Sequence, residues 1–351
     1  MGWLMVNGVV EISVRFGKTS YEFSLKRNIT IIDDYSATGK STLIRALSTK
    51  RNKKGVNSVT INSSGYKVAV FTEDTWDAAQ HVPELYKNTI IFIDELQDFV
   101  DTPKFAKFVK ETGTYFVLIT RAEVGNLSYS AKEIYTVKTS GKKHTLEPKY
   151  TFSDNFLGKN SLNTKPNIIL VEDKKSGYSF FKDIAENNSI ICKTSDGKSN
   201  IAIALNNEKF KKIIAGKILM IVCDSAAIGC DIKDITTSMT NNCVLYGPES
   251  FEYMILNSDI FDSFNKDILL NTYNYIDPIE HVSWERFYTH KLREESKDTE
   301  YVYNKNILNP NYLVPETKNK ILKANNLGFL VTEEVKKKVI EPTNRMNLLD
   351  D

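Results

Sequence analysis

The stretch IIDDYSATGKSTLIRAL, residues 31 to 47, decides how the first half of the chain is read. An apolar strand (NITII) runs into a turn (DDYSATG), then Lys40 and Ser41, then the apolar-periodic helix TLIRAL. A turn that aims backbone N–H groups at a helix start, with a lysine and a hydroxyl beside it, is built for phosphate. The N–H groups and helix dipole face the anion, the lysine reaches the outer phosphates, and the hydroxyl takes a place on magnesium. The candidate nucleotide-contacting residues are Asp34, Tyr35, Ser36, Ala37, Thr38, Gly39, Lys40, Ser41 and Thr42, with Lys40 also catalytic. The pattern G-x-x-x-x-G-K-[ST] is met except at its first glycine, which falls on Asp34. A left-handed backbone there costs a non-glycine residue roughly 1–2 kcal/mol, and Asp tolerates it better than most. An Asp about 8 Å from a phosphate adds roughly 0.5–2 kcal/mol of repulsion per charge. Both are small beside the charge-assisted bonds of the remaining loop.

A second element strengthens the first. In NTIIFIDELQDF the apolar residues Ile90 to Ile93 end in Asp94 and Glu95, which places two carboxylates at the carboxyl end of a strand. Asp94 is the candidate partner of Ser41 on magnesium, and Glu95 the candidate group that polarises an attacking water. A third strand, TYFVLITR, ends in Thr120 and Arg121. Around these, strand-like and helix-like runs alternate over the first 140 or so residues, which predicts an α/β unit with a mainly parallel sheet.

These motifs resemble the additional-strand, catalytic-glutamate class of P-loop ATPases, which includes ABC-type, RecA-type and AAA+ proteins. The resemblance covers roughly residues 8 to 140 and implies ATP and Mg2+ as cofactors, with Thr120 as the sensor on the third strand and Arg121 as a second one. Only about fifty residues separate Lys40 from Asp94, too few for an ABC-type helical subdomain. A compact ATPase is expected. Many members close ATP between two subunits, so the resemblance implies a homo-oligomer or a complex with a partner ATPase.

After a polar stretch between Lys138 and Lys165 a second alternation begins. NIILVED places Glu172 after an apolar strand and before a helix, and KILMIVCD places Asp224 at the end of another. In a parallel sheet both carboxylates converge at the carboxyl edge, a geometry suited to a metal, so both are candidate catalytic and metal-binding residues. The order resembles the Toprim domain of topoisomerases, primases and OLD-type nucleases. That resemblance implies acid/base chemistry by Glu172, magnesium on Asp224, and nucleic acid as the partner. The family's second aspartate is absent, since Ser225 and Ala226 follow Asp224, and Asp173, Asp231 or Glu249 would have to substitute. Pairing an ATPase with such a domain is similar to OLD-type nucleases and related bacterial anti-phage proteins. The expected units are an ATPase domain over 1–145, a linker over 146–165, a Toprim-like domain over 166–256 and a mostly helical extension over 257–351.

Two functions follow. In one the chain hydrolyses ATP and its second unit acts on or senses nucleic acid. In the other it is a nucleotide-gated switch whose second unit is non-catalytic. Composition names no partner: Lys+Arg 46 against Asp+Glu 44 leaves a net charge of +2. The four cysteines are spread without a CxxC pair and read as free thiols. No apolar run approaches the roughly 18 residues of a membrane span, so the expectation is a cytoplasmic chain without a membrane partner.

Overall fold

The computed structural model describes residues 8–33, 38–49, 59–95, 97–158, 164–277, 280–281 and 283–331. Asp34, Tyr35, Ser36 and Ala37 of the phosphate-loop pattern lie outside the described residues. The first unit comprises β1 (Val10–Phe16), β2 (Thr19–Leu25), β3 (Ile29–Ile32), α1 (Lys40–Thr49), β4 (Val59–Asn62) and β5 (Lys67–Phe71). It continues with α2 (Glu73–Ala79), β6 (Thr89–Ile93), α3 (Pro103–Thr112), β7 (Phe116–Ile119), β8 (Ile134–Ser140) and β9 (Lys143–Pro148). Its sheet has nine strands in the order β4-β1-β2-β9-β8-β3-β7-β6-β5.

Strands β8, β3, β7, β6 and β5 are mutually parallel. The central strands β3, β6 and β7 are buried at every position, as strands covered on both faces must be. Among the described residues five of the eight pairings are parallel, as expected, and the sheet is mixed because β1 pairs antiparallel with β2 and β4, and β8 with β9. The β8–β9 hairpin falls in the polar stretch that the sequence suggests is irregular. Gly141 turns it at φ +60°, and all its strand residues but Ile134 are half-buried or exposed, so no apolar alternation marks it. The outermost strands β4 and β5 are joined by the four residues 63–66, so the sheet curls round α1, which packs on β1, β4 and β5.

The second unit holds β10 (Phe152–Ser153), β11 (Phe156–Leu157), β12 (Ile168–Val171), α4 (Ser176–Glu186), β13 (Ile191–Thr194), α5 (Ser199–Asn206) and α6 (Glu208–Ile214). Then come β14 (Leu219–Val222), α7 (Ile232–Ser238), β15 (Cys243–Tyr246) and the helices α8 (Phe251–Asn257), α9 (Asp267–Leu270), α10 (Trp284–Ser296) and α11 (Pro315–Ala324). Strand order is β10-β11-β15-β14-β12-β13, parallel from β15 to β13. The run SNIAIALNNEKFKKII, residues 199–214, forms two helices that divide at Asn207, whose side chain accepts from the N–H groups of Lys209 and Phe210 and starts α6.

The boundary is tighter than a linker over 146–165. β9 keeps the chain in the first sheet to Pro148, and Phe152 opens β10 in the second. Phe156 pairs with Tyr246 there. The two units also share a core: one buried apolar cluster runs from Phe105 and Phe108 on α3 through Tyr129 to Ile221 and Leu245. The four cysteines are free. No helix among the described residues is long and apolar enough to cross a membrane.

Candidate functional site

Register fixes the first site. β3 pairs with β7 at Ile32 and Ile119, and β6 pairs with β7 at Ile93 and Leu118. The residues that leave these strands, Asp33, Asp94, Glu95, Thr120 and Arg121, therefore emerge along one carboxyl edge. α1 starts at that edge. Gly39 has φ +97°, Lys40 is buried and Ser41 is exposed in the first turn, while Thr42 is half-buried.

Asp94 Oδ1 accepts the Glu95 N–H at 2.9 Å, which fixes the turn between the two acids. Glu95 Oε1 accepts from Arg121 Nε at 2.6 Å, so Arg121 holds the candidate base instead of standing apart as a sensor. Thr120 Oγ1 accepts the Ala122 N–H at 3.0 Å, a local turn that keeps the hydroxyl at the strand end. Asp33 pairs with Lys149 at 2.6 Å, a contact the sequence did not suggest because Lys149 lies in the unrecognised hairpin's exit.

Glu172 and Asp224 leave the adjacent parallel strands β12 and β14, and Asp224 N–H donates to Glu172 Oε2 at 3.0 Å. The chain crosses from β12 to β13 on one side and returns to β14 on the other. The two acids thus lie where the strand order reverses, the place at which open α/β sheets form a crevice. Both acids line a pocket with Glu252, Tyr303 and Lys305. Burial raises the proton affinity of Glu172, and nearby Asp173 and Glu285 add to the shift against the Asp224 N–H bond. Asp224 is raised further by burial and by the charges of Glu285, Glu172 and Glu252.

Lys305 supplies the countercharge. Its ammonium pairs with Glu285 and lies 3.8 Å from Glu252 Oε1, which also accepts from Tyr303 at 2.8 Å and Thr289 at 3.0 Å. Burial works against the charged lysine, yet Glu252 and Glu285 outweigh it and raise its pKa. The segment is anchored by Ser176, whose N–H and hydroxyl donate to the carbonyls of Lys305 and Asn304.

Two of the three acids expected to complete a metal pair are engaged elsewhere. Arg27 donates from Nη2 to both oxygens of Glu249 at 2.9 Å, and Lys132 reaches the same carboxylate at 2.9 Å. Asp231 accepts from Cys230 Sγ at 2.8 Å and faces Lys198 at 3.7 Å. Lys198 also donates to the Ala227 carbonyl at 2.8 Å, so the GKS string at residues 197–199 braces the loop after Asp224. Asp173 remains beside Glu172 and lines the pocket. Among the described residues no group of three or more His, Cys, Asp or Glu side chains is placed to hold a metal ion.

Sequence reasoning missed Lys305, Tyr303 and Glu285 because they come from loop and helix about sixty to eighty residues beyond Asp224, with no periodicity linking them. Glu252 was visible, but an acid in a helix's first turn has an ordinary dipole explanation. Compared with known proteins, the chain matches no family model and no curated sequence.

Proposed function

We propose that the chain is a P-loop ATPase whose second α/β unit acts on or senses nucleic acid. The observation that carries this is the strand order: β7, ending in Thr120 and Arg121, lies between loop strand β3 and acidic strand β6. An inserted strand between those two is what the additional-strand class is named for. Lys40 begins α1 at the same edge as Asp94 and Glu95, so a lysine, a hydroxyl and two carboxylates converge where a triphosphate would meet the helix N-terminus. Ser41 and Asp94 are hard oxygen donors suited to magnesium, and a cation shared with phosphates does not need an all-protein cage. Bound there, magnesium would neutralise phosphate charge. Lys40 holds the outer phosphates, and Glu95 orients and polarises the attacking water once its carboxylate leaves Arg121. The same strand-edge logic makes Glu172 and Asp224 the groups of the second site, with Glu172's raised proton affinity suited to acid/base exchange.

A second reading has its own support. Glu249 and Asp231 are tied up in ion pairs, and Lys305 already brings a positive charge to the second pocket. This favours a nucleotide-gated switch whose second unit binds without cutting. Turnover of ATP by wild type, Lys40→Ala and Glu95→Gln tests the ATPase, since both variants should fall to background. Plasmid and single-stranded DNA with Mg2+ or Mn2+ test the second site. Cleavage lost in Glu172→Ala and Asp224→Ala supports the catalytic form, and its absence in wild type supports the switch.

A further inference from the structure

Tyr21 and His144 face each other as neighbours on the parallel strands β2 and β9, their rings 4.6 Å apart and 13° from parallel. His144 is held in turn by Thr139, its antiparallel partner on β8, at 2.9 Å from Nδ1. The pair lies against Gly39. Tyr21 donates its hydroxyl to the Gly39 carbonyl at 2.8 Å, and a Cβ at Gly39 would come within 3.0 Å of both His144 Cε1 and the Tyr21 oxygen. Neither side chain belongs to the phosphate-loop pattern.

The contact matters because of what else the carbonyl does. Gly39 O also accepts the Leu43 N–H at 3.0 Å, the first hydrogen bond of α1. Both lone pairs of the oxygen are then occupied, and the peptide between Gly39 and Lys40 cannot rotate without losing two bonds. In a planar trans peptide the N–H points opposite to the C=O. Fixing the Gly39 carbonyl towards Leu43 and Tyr21 therefore fixes the Lys40 N–H away from them, towards the N-terminal side of α1. That is the direction in which a bound phosphate receives its backbone donor. Burial raises the Tyr21 pKa against Thr42 and Arg45, which lower it, and burial lowers that of His144.

We infer that Tyr21 and His144 are positioning residues for ATP: a stacked pair against Gly39 that sets the Gly39–Lys40 peptide for phosphate binding. The inference rests on the ATP-binding role proposed above, and the experiment separates the two. Full-length wild type, Lys40→Ala, Tyr21→Phe, His144→Ala and His144→Phe are titrated with a fluorescent ATP analogue and Mg2+, and their ATP KM, kcat and Tm are measured. Tyr21→Phe keeps the ring and removes the hydroxyl's hydrogen bonds to Gly39 and Thr42, so Kd and KM should rise about three- to tenfold with kcat and Tm close to wild type. His144→Ala should weaken binding similarly, and His144→Phe, which keeps the stack, should restore it. Wild-type affinity in Tyr21→Phe and His144→Ala, with Lys40→Ala deficient, overturns the inference alone. A lowered Tm with unchanged Kd and KM also overturns it, because that is a structural role. If wild type binds no more analogue than Lys40→Ala, the ATP-binding role fails and the inference with it.

Discussion

Arg27 and Glu249 form a two-bond ion pair across the junction of the two units, both 2.9 Å contacts, with each side chain more than nine-tenths buried. Arg27 also donates from Nε to Glu133 at 3.3 Å and stacks on Trp284 with 3.6 Å to the ring centroid. It precedes β3, while Glu249 directly follows Pro248, whose carbonyl accepts the Ser225 N–H beside Asp224. One guanidinium thus joins the entry of the loop strand to the neighbourhood of the second site.

Loss of the arginine leaves the buried Glu249 with Lys132 alone and takes the cation from Glu133, and breaking a buried pair in this way typically costs about 3–5 kcal/mol. Arg27→Met should lower the unfolding free energy by that amount in urea titrations. The double variant Arg27→Met/Glu249→Gln should lose less than the sum of the single variants, because neither charge is left alone. Strict additivity would reject the pair as a coupled unit.

The same carboxylate gives a pH signature. Burial alone would raise the Glu249 pKa from 4.5, but Arg27 and Lys132 outweigh it and hold it at about 2. The folded value lies below the unfolded one, so the stabilisation is fully present above pH 4.5 and is lost as pH falls towards 2. It amounts to about 3 kcal/mol at neutral pH. Glu133 runs the other way: burial outweighs Arg27, its pKa is raised, and its contribution declines as pH rises above 4.5. Denaturation of wild type between pH 5 and 2.5 should show a steep fall that is shallower in Glu249→Gln. Parallel curves would contradict the assignment.

Backbone contacts close the same junction. Ala131 N–H and Ser130 Oγ both donate to the Ser225 carbonyl at 3.0 Å, and Gly229 N–H donates to the Tyr129 carbonyl at 2.9 Å. A Cβ at Gly229 would lie 2.6 Å from that carbonyl and 2.3 Å from the Tyr129 ring. Gly229→Ala should therefore destabilise by about 1–3 kcal/mol as an overpacking change. Gly125→Ala, with open space at its Cβ, is the control, and an equal Tm in both would show that the junction yields.

How much of this was legible follows from what each element had to bury. β3, β6, β7, β12 and β14 are buried at all positions and apolar apart from Thr30 and Thr89, because both faces are covered, so the sequence marks them and the acids at their ends. The β8–β9 hairpin is half-exposed and leaves no such mark, and with it went His144 and Lys149. Pairing partners at long range are invisible for another reason. Nothing in the local pattern around Glu249 distinguishes a metal ligand from a partner of Arg27, 222 residues away. The register that stacks Tyr21 on His144 is likewise a property of the sheet.

Arg121 and Glu95 make an ion pair that is half-open to solvent, with side-chain exposures of 52% and 30%. Such pairs contribute about 0.2–1 kcal/mol, so Arg121→Ala should leave Tm within a degree or two of wild type. The pair competes with water for the Glu95 carboxylate. Its removal should raise ATP turnover by up to about fivefold, the same energy expressed as a rate. A fall in turnover would assign Arg121 to the phosphate instead of to restraint of Glu95.

Lys305 offers the complementary test at the second edge. Its ammonium pairs with Glu285 and faces Glu252, beside Asp224 and Glu172. Lys305→Met removes the positive charge and leaves Glu252 and Glu285 without their cation, at a cost of about 3–5 kcal/mol. A divalent cation is the simplest replacement for that charge, since it takes oxygen ligands at the same edge. Mn2+ should therefore raise the Tm of Lys305→Met by several degrees, and of wild type by much less. Adding Asp224→Asn to Lys305→Met should abolish the gain. An equal Mn2+ shift in wild type and Lys305→Met would mean that the cation binds without competing with the lysine.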